Sequence, residues 1–125
     1  MTKRILVIDD EIDIRDVVCL SLEEFGGWQT GAAASGRDGL LQAATGTWDA
    51  ILLDISMPDM DGFAVYAQLQ ANPITQAIPV VLLTAKVLPS DRDRFADLGV
   101  AGVIAKPFDP VTVWRQVAQR LGWAT

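Results

Sequence analysis

Short apolar runs alternate with helix-like segments along the whole chain. Five runs have the length and composition of strands, and the third is apolar until it reaches Asp54. The predicted strands cover residues 5–8, 28–33, 51–54, 78–83 and 100–105. A run that is apolar at every position, such as residues 51–53, is typical of a strand buried on both faces of a parallel sheet.

The segments after the strands carry start and stop signals for helices. Five helices are predicted: from Ile12 to Gly26, Ser35 to Gly46, Asp61 to Asn72, Ser90 to Gly99, and Asp109 to Gly122. Ser35 with Asp38 resembles a capping box, Asp61 is a suitable cap, and Ser90 with Asp93 can cap the fourth helix. Asp109 is predicted to cap the last helix, with Pro110 in its first turn.

Five strands alternating with five helices predict a doubly wound α/β fold with a five-stranded parallel sheet and helices on both faces. The carboxyl ends of parallel strands lie on one edge of the sheet, where such folds bind their ligands. Polar residues close four of the five apolar runs. We therefore expect these residues to converge at one edge: Asp9, Asp10, Asp54, Thr84 and Lys106.

Length, charge and composition limit the classes of function that the chain can have. At 125 residues the chain is expected to form one domain, residues 1–125, with no output domain and a natural end after the last helix. A net charge of −6 and scattered basic residues argue against nucleic acid and anionic membranes as partners. With no histidine, imidazole catalysis and His metal ligands are excluded. The one cysteine, Cys19, is predicted to be a buried free thiol, and the absence of a signal peptide or membrane-length apolar run predicts a cytoplasmic protein.

The converging polar residues predict a metal site. Two carboxylates about 4 Å apart repel by roughly 4 kcal/mol at an effective dielectric of about 20, so a cation is required. Oxygen ligands without Cys or His favour Mg²⁺. Asp54 could then act as a nucleophile toward a phosphoryl group, with a hydroxyl from Thr84 and a positive charge from Lys106 on the transferred group.

Four motifs in order resemble the receiver domains of two-component response regulators. They are residues 5–11, 53–62, 83–85 and 106–108. The resemblance implies a flavodoxin-like (βα)5 fold with strand order 2-1-3-4-5, Asp54 as phosphoacceptor, and Asp9, Asp10 and the Ser56 carbonyl as Mg²⁺ ligands. It also implies phosphoryl contacts from Thr84 and Lys106, a cis bond between Lys106 and Pro107, and a monomer or weak dimer.

One position departs from the family pattern. Receivers often place an aromatic residue three positions before the lysine, where Val103 stands here. This leaves the usual aromatic readout in doubt, and Trp114 is a candidate substitute on the last helix. Ser56 and Lys86, two residues after Asp54 and Thr84, occupy positions that tune the phosphoryl lifetime in such domains.

The leading hypothesis is a stand-alone phosphoacceptor switch that takes a phosphoryl group from a histidine kinase or phosphotransfer protein and signals through a partner protein. It would catalyse only its own phosphorylation and dephosphorylation. The alternative is a degenerate receiver that binds a partner without phosphorylation, as Val103 suggests. An aspartyl phosphatase of the haloacid type is disfavoured because Ser56 stands where a second aspartate is needed. A flavodoxin-like electron carrier is disfavoured because no phosphate-binding loop follows the first strand.

Overall fold

The computed structural model describes residues 2–85 and 89–124. Lys86 lies outside these residues. The elements in chain order are β1 Arg4–Ile8, α1 Ile12–Glu24, β2 Gln29–Ala33, α2 Gly36–Thr45, β3 Ala50–Asp54, α3 Gly62–Ala71, β4 Val80–Thr84, α4 Pro89–Leu98, β5 Gly102–Ala105 and α5 Val113–Leu121. The predicted alternation of strands and helices is confirmed.

The strands form one parallel sheet in the order β2-β1-β3-β4-β5. This confirms the doubly wound fold and the strand order implied by the family resemblance. β1 and β3 are central neighbours, with Ile8 opposite Leu53. On the other side of β3, Asp54 lies opposite Leu83 of β4. The carboxyl ends of these strands therefore meet at one edge of the sheet.

Each face of the sheet carries its own hydrophobic core, because successive strand residues point to opposite faces. Leu53 belongs to the core that packs against α2, α3 and α4, whereas Leu52 belongs to the core against α1 and α5. β3 and β4 are buried at every position, which explains their continuous apolar sequences. The register of β3 is fixed by this burial, since a one-residue slip would exchange its two faces. The position of Asp54 is fixed with it.

Several predicted helix ends are confirmed. Ser35 Oγ accepts a hydrogen bond from the Asp38 backbone N–H at 3.1 Å, and Asp61 Oδ1 accepts one from Ala64 at 2.8 Å. The third helix ends before Asn72, as the following proline requires. α5 ends at Gly122, which has a left-handed φ of 72°.

The predicted starts of the last two helices were wrong. α4 begins at Pro89, so Ser90 lies inside the helix instead of capping it. Proline is well suited to a first helical turn, where its missing N–H costs nothing. Asp109 accepts a hydrogen bond from the Val111 N–H at 2.9 Å, but this closes a turn, and α5 begins only at Val113.

Strand starts also differ from the prediction by one or two residues. β4 begins at Val80, after Pro79, because proline cannot donate to a strand ladder. β5 begins at Gly102 and β2 at Gln29.

Cys19, predicted to be buried, is only half-buried, and burial raises the pKa of its thiol. In the part of the chain that the structure describes, no helix combines the length and apolarity needed to cross a membrane.

Candidate functional site

Three carboxylates meet at the carboxyl edge of the sheet. Asp9 and Asp10 follow β1, and Asp54 ends the neighbouring strand β3. One oxygen of each carboxylate lies within 4.8 Å of the other two. Asp9 is fully buried and Asp54 is 3% exposed. The sheet order therefore brings together the three acids that the sequence predicted would converge.

Lys106 joins two of these acids from the end of β5. Its Nζ lies 3.2 Å from Asp9 Oδ2 and 3.1 Å from Asp54 Oδ1, and its side chain is 15% exposed. The cis peptide bond between Lys106 and Pro107, implied by the resemblance, is present. One ammonium group can neutralise only one of the three carboxylates, so the site keeps an excess of negative charge.

Burial and this imbalance of charge together shift the pKa values of Asp54 and Lys106. Burial raises the pKa of Asp54, the charge of Asp9 raises it further, and the contacts with Lys106 only partly oppose these effects. Burial acts to lower the pKa of Lys106, but Asp54 and Asp9 outweigh it, and the net shift is upward. Lys106 is therefore held as a cation, whereas the ionised form of Asp54 is disfavoured in the metal-free protein.

The side chains fit a magnesium ion. Two buried carboxylate oxygens, Asp10 Oδ1 and Asp54 Oδ2, have no hydrogen-bond partner within residues 2–85 and 89–124. Buried oxygens of this kind are costly unless something compensates them. Asp9 is already engaged, since its Oδ1 accepts the Glu11 N–H at 2.9 Å and its Oδ2 contacts Lys106. A hard cation that prefers oxygen ligands matches these two oxygens, and Asp9 can be a third ligand because a carboxylate oxygen that accepts one hydrogen bond keeps a second lone pair.

These contacts also decide between two interpretations of the acidic pair. Aspartates that directly precede a helix can instead cap it, so Asp9 and Asp10 could serve as caps of α1. The residue that caps α1 is Glu11, which makes no side-chain capping bond. Asp9 instead folds back onto the Glu11 N–H, and Asp10 leaves one buried oxygen unpaired. Neither aspartate therefore acts as a side-chain cap.

Asp54→Asn is expected to stabilise the metal-free protein by about 0.5–2 kcal/mol at neutral pH, as often happens when a functional charge is removed. The folded pKa of Asp54 lies above the unfolded value of about 3.9, so its ionisation penalises the folded state as pH rises through the folded pKa. The gain should shrink toward acidic pH. Urea unfolding with chelator between pH 4 and 7 measures the difference in free energy of unfolding between Asp54→Asn and wild type. A variant less stable than wild type at pH 7 would contradict the prediction.

Thr84 and Ser56 border the acidic group. Thr84 ends β4 and is 2% exposed, and its carbonyl accepts the Lys106 backbone N–H at 2.8 Å. This bond ties the end of β4 to the residue whose ammonium group reaches Asp54. Ser56 is the second residue of the loop after β3 and is exposed. All six residues predicted for the site therefore lie on the strand ends and loops of the same sheet edge.

Two further residues support the loops of this site and were missed by sequence analysis. Arg15 of α1 donates from Nη1 to the Asp9 carbonyl at 2.8 Å. Asp59, in the loop after β3, accepts hydrogen bonds from the backbone N–H groups of Gly36 and Arg37, both at 3.1 Å. The sequence carries no signal for either contact, because each depends on how separate elements pack.

Val103 and Trp114 lie on opposite sides of the sheet. Val103 packs with the α2–α4 core and lines an apolar pocket of about 200 Å³ together with Phe95 and three other residues. Trp114 packs in the α1/α5 core, and its ring lies 6.3 Å from that of Trp28 in an edge-to-face contact. Trp114 is therefore not a substitute for an aromatic residue at position 103.

The strand order 2-1-3-4-5, with the candidate site at the carboxyl edge of the sheet, places the protein among the flavodoxin-like doubly wound folds, which bind their ligands at this edge. The family model described as "Response regulator receiver domain" matches residues 5–118. The chain belongs to this family, as its motifs predicted, and is thus a receiver domain of two-component systems.

Individual relatives agree with this assignment. Response regulator PleD from Caulobacter vibrioides (strain NA1000 / CB15N) is 38% identical over 118 residues, which cover 94% of this chain and 26% of PleD. The phosphate regulon transcriptional regulatory protein PhoB from Escherichia coli (strain K12) is 39% identical over 111 residues, 88% of this chain and 48% of PhoB. The chain thus spans between about a quarter and a half of these curated relatives.

Solved structures give the same fold over their whole length. Chemotaxis response regulator CheY4 of Vibrio cholerae superposes with a TM-score of 0.88 at 28% identity, covering 96% of this chain and 99% of CheY4. The receiver domain of sensor histidine kinase PA1611 from Pseudomonas aeruginosa PAO1 has a TM-score of 0.80 at 25% identity and covers 98% and 99%. That structure has a magnesium ion coordinated in its active site cleft.

Proposed function

We propose that residues 1–125 act as a phosphoacceptor switch in a two-component phosphorelay, with Asp54 receiving a phosphoryl group from a histidine kinase or phosphotransfer protein. One observation carries the proposal. Asp54 is nearly buried beside Asp9 and Asp10, with one oxygen held by Lys106 and the other without a partner among the described residues. A buried carboxylate oxygen without a hydrogen-bond partner is a candidate ligand for a metal ion, and it leaves the carboxylate unneutralised as a nucleophile toward phosphorus.

Asp9, Asp10, Asp54 and the Ser56 carbonyl would hold the ion, a role supported by the magnesium in the related PA1611 domain. Bound Mg²⁺ would supply positive charge to the oxygens of the transferred phosphoryl group. Lys106 supplies a second, fixed positive charge from β5. The Thr84 hydroxyl, at the end of β4, is proposed to bind a phosphoryl oxygen.

The transfer itself needs no other residue of this chain. A carboxylate oxygen of Asp54 forms a bond to phosphorus while the bond between phosphorus and the donor imidazole nitrogen breaks. The electron pair of the broken bond stays on that nitrogen, which then takes up a proton. The acyl phosphate on Asp54 is later hydrolysed by water. The chain thereby catalyses its own phosphorylation and dephosphorylation only, and we propose that it signals in the cytoplasm by changing its affinity for a partner protein.

Labelling with a small acyl-phosphate donor and Mg²⁺ tests the proposal. Wild type should incorporate one phosphoryl group, sensitive to hydroxylamine as an acyl phosphate is, and Asp54→Asn should incorporate none. Asp61→Asn is the matched control, because Asp61 is an exposed acid in the loop that follows Asp54 and asparagine caps helices as well as aspartate does. Equal labelling of wild type and Asp54→Asn, or none of wild type, would refute the proposal.

A second candidate function rests on Val103. A receiver that binds its partner without phosphorylation would not need an aromatic residue at this position. A beryllofluoride complex distinguishes the two functions. The switch requires altered amide exchange in β4, β5 and the following loops when the phosphoryl mimic binds, whereas a degenerate receiver shows unchanged exchange and unchanged partner affinity.

A further inference from the structure

The start of α2 is completed by a residue from another loop. The first N–H groups of a helix have no partner within the helix. Ser35 satisfies one of them at α2, its Oγ accepting from Asp38 at 3.1 Å, while its carbonyl accepts the first i→i−4 bond of the helix from Gly39 at 2.9 Å. Two others, those of Gly36 and Arg37, both donate to the carboxylate of Asp59. Two of the three side-chain capping bonds of α2 therefore come from the loop that follows Asp54.

This loop, residues 55–61, is fastened at three points. The Gly62 N–H donates to the Ile55 carbonyl at 2.7 Å, which closes the loop on itself. Asp61 caps α3, and so fixes the far end. Asp59 fixes the middle of the loop to α2 through two hydrogen bonds of 3.1 Å. Ser56 lies inside the fastened segment, between Ile55 and Asp59.

Two observations show that the contact of Asp59 is specific. Its two oxygens each take a different N–H group, which fixes the orientation of the carboxylate as well as its position. Packing holds the two segments together as well: a Cβ on Gly36 would lie 3.1 Å from Met60 Cβ and 2.8 Å from Val65. α2 and the loop therefore touch so closely that a side chain at position 36 would separate them.

We infer that Asp59 is a positioning residue for the metal site, which holds the 55–61 loop against α2 so that the Ser56 carbonyl is in place before the ion arrives. The inference rests on the proposed function, because it assumes that this carbonyl is a Mg²⁺ ligand. Groups that orient metal ligands from outside the first shell commonly change metal affinity by about 10–100-fold. Asp59 acts through the backbone over three residues, so an effect near or below the lower limit is expected.

A purely structural role, as a cap for α2, makes a different prediction. If Asp59 served only as a cap, any variant that loses a capping bond of α2 would change Mg²⁺ affinity to the same extent as a variant at Asp59. Ser35→Ala is the matched variant, because it removes a side-chain cap from the same helix end without touching the 55–61 loop. Asp59→Asn is the intermediate variant, because the asparagine side chain has one acceptor oxygen and can keep only one of the two hydrogen bonds.

Mg²⁺ titration calorimetry on the four proteins, with amide hydrogen exchange of the metal-free forms, tests the inference. Asp59→Ala should weaken Mg²⁺ binding by about three- to tenfold and reduce the protection of the Gly62 amide. Ser35→Ala should leave both unchanged, and Asp59→Asn should fall between Asp59→Ala and wild type because it keeps one of the two hydrogen bonds. Equal Mg²⁺ affinity and Gly62 protection in Asp59→Ala and wild type, or equal losses in Ser35→Ala, would overturn it. Absence of Mg²⁺ binding by wild type would instead refute the proposed function, and the Gly62 amide would still report on the loop.

Discussion

Lys106→Met is expected to destabilise the metal-free protein by about 3 kcal/mol and to slow phosphorylation of Asp54 by about 100- to 1,000-fold. The ammonium group lies 3.2 Å from Asp9 and 3.1 Å from Asp54, and both carboxylates are almost fully buried. Removing one partner from a buried ion pair leaves an uncompensated charge, which typically costs about 3–5 kcal/mol. A fixed donor to the charge of a transition state is worth about 10²–10³ in rate. Urea unfolding with chelator measures the first effect, and single-turnover labelling the second.

A double mutant separates charge balance from packing. If the cost arises from unpaired carboxylates, Asp54→Asn combined with Lys106→Met should be more stable than Lys106→Met alone, because one of the two carboxylates is gone. Added Mg²⁺ should likewise stabilise Lys106→Met more than wild type, since the ion replaces part of the missing charge. A double mutant no more stable than Lys106→Met, together with equal stabilisation by Mg²⁺, would show that Lys106 acts through packing of its alkyl chain.

The convergence of the acidic residues was predictable because it depends on backbone rules alone. Parallel strands end at one edge, so any polar residue that closes a strand reaches that edge. Asp54 could be placed from its sequence because every residue before it in β3 is apolar and buried. The order of the strands could not be derived in this way, and it came from the resemblance to receiver domains. The order matters, since it is what makes β1 and β3 neighbours.

The support of the site was not predictable, because it rests on contacts between distant residues. Arg15 contacts the Asp9 carbonyl, and Asp59 contacts α2 across more than twenty residues of chain. In sequence, an Arg in a helix and an Asp in a loop look like ordinary solvated residues. The start of α5 was misjudged for a related reason: Asp109 has the side chain of a cap and forms a capping-type bond, but the bond closes a turn. The capping preference of aspartate therefore predicted the hydrogen bond of Asp109 correctly but not the start of α5, which lies four residues later.

Gly62→Ala is expected to damage stability and the site together, with a loss of about 1–3 kcal/mol and a large fall in Asp54 phosphorylation. A Cβ at this position would lie 2.7 Å from the Asp54 carbonyl oxygen and 2.7 Å from Ile55 Cα. Both are backbone atoms of β3 and of the residue that follows it, so they cannot avoid the contact by a change of rotamer as a side chain could. Overpacking of this kind usually costs about 1–3 kcal/mol. A displacement of about 1 Å at a reacting group can cost about 100-fold in rate.

Gly31→Ala is the matched control for this effect. A Cβ on Gly31 would meet the ring of Trp48, a partly exposed side chain, and not the backbone that carries Asp54. Both variants should unfold at lower urea concentrations than wild type, but only Gly62→Ala should lose Mg²⁺ affinity and labelling, because only its clash moves the backbone that carries Asp54. Normal labelling of Gly62→Ala would show that the loop absorbs the added methyl group without moving β3. Equal loss of labelling in both variants would show that general destabilisation, and not the position of Asp54, limits phosphorylation.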